Sequence, residues 1–343
     1  MQSILVIGGA GFIGSNLIDY YCKKSSKIII FDNVSREGVK NNVFWLQKKY
    51  PVQVSFVKGD IRTDTAKLSE LMEKVDVVFH LAGQVAVTSS VKTPLEDCHI
   101  NVIGTLNILE AIRNSQKKPM LLFSSSNKVY GELMHIPINE IENRYVYEKL
   151  PFGISESHNL DFHSPYGCSK GAADQYVRDY SRIYGLRTVV FRQSCIYGYR
   201  QFGSENQGWL AWFIIATLTG KPLTIYGNGK QIRDVLFIDD LCEAYDTAVQ
   251  NIDKTSGKIY NVGGGSDNAL SILELVNILE EIFQKKIEIS FGAWRPGDQK
   301  VFISDIRKAK SDFGWMPKIS PKEGIKKLVC WVKENKDLFN KVL

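Results

Sequence analysis

The chain has 343 residues, 44% of them hydrophobic and 23% charged. That is enough apolar side chain for a core and enough length for about two domains or one large one, which excludes a peptide scaffold and a disordered tail. Lys and Arg number 43 against 37 Asp and Glu, so the net charge of +6 is mild; it suits an anionic small molecule and is too weak and too evenly spread to indicate nucleic acid. The six cysteines, Cys22, Cys98, Cys168, Cys195, Cys242 and Cys330, lie far apart without a C-x-x-C pair, which points to reduced thiols and a cytoplasmic setting. No basic n-region with a cleavage site opens the sequence, and its most apolar stretch, 209–218, is about half a membrane span. No membrane partner is expected.

In chain order, short β-branched runs at 4–7, 27–31, 54–57 and 75–80 alternate with segments of helical period such as 12–24. Apolar runs without polar alternation are strands buried on both faces, and strands separated by helices demand a parallel sheet with right-handed crossovers. The fold class is therefore α/β, a doubly wound parallel sheet of Rossmann type. A helix over 96–115, a strand at 120–124, a helix over 166–184 and a strand at 188–192 extend it. The interval 131–164 is polar, contains Pro137 and Pro151, and has little periodicity; a loop this long in a compact domain is usually functional. Beyond Arg192, helices at 209–218, 241–249, 271–283 and 321–335 and a turn at Gly227-Asn228-Gly229 indicate a smaller mixed α/β lobe. The division expected is 1–192 for the main domain and 193–343 for the lobe, with the chain crossing between them.

The first strand runs into Gly8-Gly9-Ala10-Gly11-Phe12-Ile13-Gly14, which opens a helix. Glycines are needed where a dinucleotide pyrophosphate approaches the backbone, the chain turns tightly and the helix packs close to the strand. The N–H groups of that helix start, at Phe12 and Ile13 among others, then face the phosphates. Asp32 ends the second strand about twenty residues on, where a carboxylate accepts both adenosine ribose hydroxyls and repels a 2′-phosphate; NAD is favoured over NADP. Asn33, Ser35 and Arg36 follow it, Arg36 as a solvated loop residue. Asp60 and Ile61 after the third strand, Leu81, Ala82 and Gly83 after the fourth, Asn101 and Ser124 complete the expected cofactor set, with Asp60 accepting from the adenine amine.

Tyr166 and Lys170 are four apart at the start of a helix and share a face. A phenol with an ordinary pKa of about 10 must lose its proton near neutrality to act as a base; the Lys170 ammonium and a cationic nicotinamide are the expected sources of that lowering. Ser126 ends a core strand at the same sheet edge, where its hydroxyl can hydrogen-bond a substrate oxygen. These three are the expected catalytic residues. The five histidines show no metal-ligand spacing, and no metal is expected.

Gly8-x-x-Gly11-x-x-Gly14, Ser124-Ser125-Ser126, Val129-Tyr130-Gly131, Tyr166-x-x-x-Lys170 and Arg233-Asp234-Val235-Leu236-Phe237-Ile238-Asp239-Asp240 occur in that order across nearly the whole chain. Together they make the sequence resemble the extended short-chain dehydrogenase/reductase family, in particular its nucleotide-sugar epimerase branch. The resemblance implies a redox-neutral epimerisation through a transient keto-sugar, with 193–343 mainly binding the nucleotide sugar. A closer likeness carried by 80–86, 126–130, 161–176 and 207–209 implies a CDP-linked 3,6-dideoxyhexose oxidised at C2, as in O-antigen or lipopolysaccharide biosynthesis. Gln84, Ser126, Asn127 and Lys128 are then the sugar-facing candidates. Arg233 and Arg295 would hold the diphosphate, Asp298 the nucleotide ribose, and Gln207 with Trp209 part of the wall. Dehydratases of the family carry an Asp-Glu pair directly after the Ser/Thr, where this chain has Asn127 and Lys128, so a 4,6-dehydratase is disfavoured. The resemblance also implies a homodimer or homotetramer paired through 96–115 and 166–184. A UDP-sugar 4-epimerase and a non-catalytic NAD sensor of the same fold remain open at this point.

Overall fold

The computed structural model describes residues 2–36, 38–205, 207–295 and 297–339. The chain begins with β1 (Ser3–Ile7), α1 (Phe12–Cys22), β2 (Lys27–Asp32), α2 (Val39–Lys49), β3 (Val54–Lys58), α3 (Thr65–Met72) and β4 (Val77–His80). It continues through α4 (Val87–Lys92), α5 (Pro94–Cys98), a π-helical turn (His99–Ile103), α6 (Gly104–Asn114) and β5 (Met120–Ser126). Next come β6 (Ile138–Ile141), β7 (Arg144–Tyr147), α7 (Ser164–Tyr184), β8 (Thr188–Gln193), β9 (Cys195–Tyr197) and α8 (Trp209–Thr219). They are followed by β10 (Leu223–Tyr226), β11 (Ile232–Phe237), α9 (Ile238–Gln250), α10 (Ile252–Thr255), β12 (Lys258–Val262) and β13 (Ala269–Ser271). The remaining elements are α11 (Ile272–Phe283), β14 (Ile289–Gly292), β15 (Val301–Phe302), α12 (Arg307–Phe313) and α13 (Pro321–Glu334).

Two compact units emerge. One comprises the chain up to Val129 with Ser164–Arg192 and Cys242–Tyr260; the other comprises Tyr130–His163, Gln193–Leu241 and the chain from Asn261 on.

The first unit is built on a seven-stranded sheet of order β12-β8-β5-β4-β1-β2-β3. The β1–β2, β1–β4, β2–β3 and β4–β5 pairs are parallel. Ile4, Leu5, Val6 and Ile7 on β1 are wholly buried, as is Phe79 on β4, which is what a sheet covered by helices on both faces requires. Strand order reverses between β1 and β4, so the loops that follow these strands open at a topological switch point, where ligands bind in such sheets. The expected α/β doubly wound architecture is therefore present. The segment expected as one helix over 96–115 is α5, the π turn and α6 in continuous succession, and the π turn contains buried Asn101. Such turns insert an extra residue per turn and rotate the side chains after them.

In the second unit β11 is central, pairing with β9 and β15 in parallel and β13 antiparallel; β10 and β14 form a separate parallel pair. The interval expected as an irregular loop, 131–164, contains the antiparallel hairpin β6–β7. Its strands are four residues each, β6 mostly exposed and β7 half-buried around Tyr145, too short for an alternation that would reveal them. A tertiary contact holds the hairpin: Arg144 Nε and Nη2 donate to Glu274 Oε1 and Oε2 at 2.6 and 2.5 Å, and Glu274 also closes the capping box of α11 with Ser271. All six cysteines carry free thiols. Among the described residues no helix is long and apolar enough to cross a membrane.

Candidate active site

The glycine-rich turn fits against the loop after β4. Gly8 has φ +81°, and a Cβ there would lie 2.4 Å from the Ala82 nitrogen; a Cβ on Gly14 would lie 2.6 Å from the Gly8 oxygen. Gly11 caps α1 without a side-chain acceptor, and the first turn carries no acidic residue. The first-turn N–H groups of Phe12 and Ile13 therefore have no side-chain acceptor and suit an anion. Asp32 Oδ2 accepts the Ala10 N–H at 3.0 Å and Oδ1 the Val34 N–H at 2.8 Å. Each oxygen keeps a lone pair, two acceptors side by side for a diol. Burial pushes the Asp32 carboxyl up, and these backbone bonds oppose it.

Asp60 has fuller occupation than the sequence suggests. Oδ1 accepts the Arg62 N–H and Nε–H at 2.9 and 3.0 Å, and Oδ2 accepts from Arg62 Nη2 and Asn33 Nδ2 at 2.8 and 3.0 Å. With Arg62 bound this way the carboxyl lies well below the usual range. Its lone pairs are used, so an adenine amine has to share or displace one of these donors. Asn33 Oδ1 accepts the Ser35 N–H at 3.1 Å. Ile61 is a core side chain, packed where a Cβ on Gly104 would lie 2.4 Å from its Cδ1. Arg36 is at the surface, near enough to Asp32 and the Tyr166 phenol to act on both electrostatically. The Leu81 N–H donates to Ile7 O at 2.8 Å, and a Cβ on Gly83 would lie 2.9 Å from Asn101 Oδ1 and 3.9 Å from Lys170 Nζ.

Tyr166 and Lys170 are buried on one face at the start of α7. Ser164 Oγ accepts the Gly167 N–H at 3.2 Å and Ser90 Oγ accepts the Tyr166 N–H at 3.1 Å, which anchors that first turn. Lys170 Nζ donates to the Ser124 carbonyl oxygen at 2.5 Å and lies 4.4 Å from the Phe123 ring centroid. Burial brings its pKa down to about 8, opposed by Asp174 and Asp97. On β5 successive side chains alternate. Ser125 Oγ turns to Asp174 at 2.8 Å, while Ser126 lies near enough to the Tyr166 phenol to lower its pKa. Ser126 Oγ also accepts the Lys128 N–H at 3.2 Å.

Burial raises the Tyr166 phenol, Ser126 and Arg36 lower it, and Asp97 raises it further; the Lys170 ammonium is directed to the Ser124 carbonyl. Gln84 likewise folds back, its Nε2 donating to Ala86 O at 2.7 Å and its Oε1 accepting the Ala86 N–H, so both polar ends are engaged within its own loop. Asn127 is buried and Lys128 half-buried beside Ser126. Sequence alone does not single out Asp97, Ser169, Ser90 or His80. The first is four residues before Asn101 and the second adjoins Lys170; helical spacing was the available signal.

The second unit gathers the other candidates. Arg233, almost wholly buried on β11, donates Nη2 to Asp298 Oδ1 at 2.5 Å and Nη1 to Ile232 O at 2.7 Å. Arg295 stacks its guanidinium 3.9 Å from the Tyr226 ring centroid and donates Nη2 to Glu205 O at 2.9 Å; Tyr226 Oη donates to Glu205 Oε1 at 2.6 Å. Gln207 is exposed on the same loop as Glu205. Trp209 is half-buried with its indole N–H 3.5 Å from Cys195 Sγ, a contact that anchors the start of α8.

Comparisons with known proteins follow this geometry. Residues 5–328 match the profile of the family described as GDP-mannose 4,6 dehydratase. The chain is 46% identical over 337 residues to CDP-paratose 2-epimerase of Salmonella typhi, covering 96% of this chain and 99% of that protein. A solved UDP-glucose 4-epimerase of Thermotoga maritima with UDP-glucose is 30% identical, with a TM-score of 0.83 over 98% of this chain and 100% of that one. A UDP-glucuronic acid 4-epimerase of Bacillus cereus, solved with UDP-glucuronic acid and NAD, is 28% identical with a TM-score of 0.84, covering 97% and 100%.

Proposed function

The chain belongs to the GDP-mannose 4,6-dehydratase family, within the extended short-chain dehydrogenase/reductases, and we propose that it is an NAD-dependent isomerase inverting C2 of CDP-paratose to give CDP-tyvelose. The reading rests on Tyr166 and Lys170 buried on one face of α7 with Ser126 near the phenol, in a chain 46% identical to a CDP-paratose 2-epimerase.

The uncapped start of α1, the close-packed glycines and the two free lone pairs of Asp32 fit NAD. When bound, NAD would supply a reversible hydride acceptor and the positive charge of its oxidised ring. Tyr166 takes the proton of the sugar hydroxyl as the hydrogen on the same carbon departs as hydride. Ser126 shares its hydroxyl with the sugar oxygen, and Lys170, held by Ser124, keeps positive charge at the cofactor side of the helix. Once the keto-sugar had turned over and been reduced from its other face, Tyr166 would give its proton back. Asn127 and Lys128, where a dehydratase has two carboxylates, leave no acid pair to expel water, which favours epimerisation.

In the second unit Arg233 and Arg295 take the diphosphate. Each retains guanidinium N–H groups beyond those already bonded. Asp298 then turns to the nucleotide ribose, with Gln207 and Trp209 beside the nucleotide. Exposed apolar side chains on the first unit, Ile103, Tyr176 and Ile183, support pairing of protomers into a dimer or tetramer.

Incubation with CDP-paratose and, separately, UDP-glucose, followed by NMR of the product sugar, tests the proposal. Inversion at C2 of CDP-paratose without net NADH is expected. Turnover of UDP-glucose alone would reassign the enzyme as a 4-epimerase.

A further inference from the structure

Asp97 is a wholly buried carboxylate in the first turn of α5. Among the described residues no lysine, arginine or histidine forms an ion pair with it. Its partners are neutral. Ser169 Oγ donates to Oδ2 at 2.5 Å and Asn101 Nδ2 to Oδ1 at 3.3 Å. Ser169 lies between Tyr166 and Lys170 on α7 and is itself bonded to Asn101 Nδ2 at 2.9 Å. Asn101 in turn holds the loop after β4, accepting the Gln84 N–H at 3.0 Å and donating to Gln84 O at 3.2 Å.

A buried charge without a cation in contact is costly and persists where the structure compensates it. Here the compensation is a triangle of hydrogen bonds among Asp97, Asn101 and Ser169, extended by Asn101 to the Gln84 loop, with the Lys170 ammonium acting on the carboxylate from beyond contact. We propose that Asp97 is a positioning residue for the reaction, tethering the Tyr166–Lys170 turn through Ser169 and Asn101 and placing a fixed negative charge behind both side chains.

The charge acts in a defined direction. It raises the Tyr166 phenol and favours the Lys170 ammonium. The other ionisable groups on the elements packed around Asp97 are Lys92 on α4 and Glu96 and His99 on its own segment, all exposed and screened by solvent. Asp174 faces Lys170, Arg36 faces Tyr166, and His80 lies beside Lys170 as the neutral imidazole. Removing the Asp97 charge therefore moves the phenol and the ammonium to lower pKa together, so both limbs of the rate profile shift toward acid.

The inference rests on the proposed tyrosine base, and one arm of its test needs no substrate. With tyrosine 13C-labelled at Cζ, the Tyr166 resonance is assigned by its absence in Tyr166→Phe and titrated in the NAD-bound protein. In Asp97→Asn, which keeps the shape while removing the charge and turning one acceptor into a donor, the phenol is expected to titrate about one pH unit lower. Both limbs of the kcat profile for CDP-paratose should follow by a similar shift. Ser169→Ala, a mild change within a helix, breaks the tether. It is expected to lower kcat about tenfold with KM within twofold, and it decides the matter alone if Asp97→Asn does not fold. An unmoved phenol in Asp97→Asn, or wild-type kcat in Ser169→Ala, overturns the inference. A shifted phenol in a protein inert toward CDP-paratose overturns only the proposed function.

Discussion

Asp174 and Arg192 form a two-pronged ion pair inside the first unit, Nε to Oδ2 at 2.9 Å and Nη2 to Oδ1 at 3.0 Å, with both side chains almost wholly out of solvent. Asp174 also receives Ser125 and stands behind Lys170. The pair joins β8 to α7, the helix that carries Tyr166 and Lys170. Arg192→Met strands a buried carboxylate and should lower stability by about 3–5 kcal/mol in urea unfolding. Combining it with Asp174→Leu should restore part of that loss; a double variant less stable than the single one would show that the pair is not coupled.

Tyr166→Phe removes the proton carrier but little volume. Epimerisation should fall by about 100- to 10,000-fold, while NAD affinity, measured by calorimetry, stays within a few-fold. Wild-type turnover in that variant would remove Tyr166 from the mechanism.

Asp32→Asn keeps the side chain's shape and takes away charge and one acceptor at the expected ribose site. The Kd for NAD should rise about 10- to 100-fold, as for the loss of charge-assisted bonds, and discrimination against NADP should narrow. Equal NAD affinity in both proteins would place the ribose elsewhere.

His80 provides a pH-dependent contribution to stability. The Thr105 hydroxyl gives its proton to Asn101 O at 2.6 Å, so at 2.9 Å from Thr105 Oγ1 the imidazole Nε2 is the donor. Burial and the Lys170 charge bring its pKa down to about 3. Between pH 6.5 and 3 the unfolded chain binds a proton that the folded one refuses. This contribution is therefore complete above pH 6.5 and is lost on acidification, by up to about 1.4 kcal/mol per pH unit. His80→Gln should flatten that part of the stability profile; an unchanged slope would mean the ring is protonated in the fold.

Gly8→Ala places a methyl group 2.4 Å from the Ala82 nitrogen at φ +81°. Overpacking against backbone and the left-handed conformation together should destabilise the protein by on the order of 3 kcal/mol, visible as a lower urea midpoint and weaker NAD binding. Gly185→Ala, also at positive φ but with open space around it, isolates the conformational part and should have a smaller effect.

The amino-acid order alone determined the parallel sheet, the glycine turn, Asp32 and the Tyr166–Lys170 face, because each of these depends on local spacing: buried runs of about five residues, helical neighbours four apart, and a strand that ends where a loop begins. Packing decided the rest. Gln84 turns onto Ala86, Asp60 is filled by Arg62 and Asn33, and Lys170 points to Ser124, because each polar group takes whichever partner lies within about 3 Å once the elements have packed. The hairpin at β6–β7 exists through Arg144 and Glu274, residues 130 apart in the chain. Asp97 became a candidate in the same way. Its distance from Ser169 and its complete removal from water belong to the packing of α5 against α7, and long-range proximity leaves no periodic trace in a single sequence.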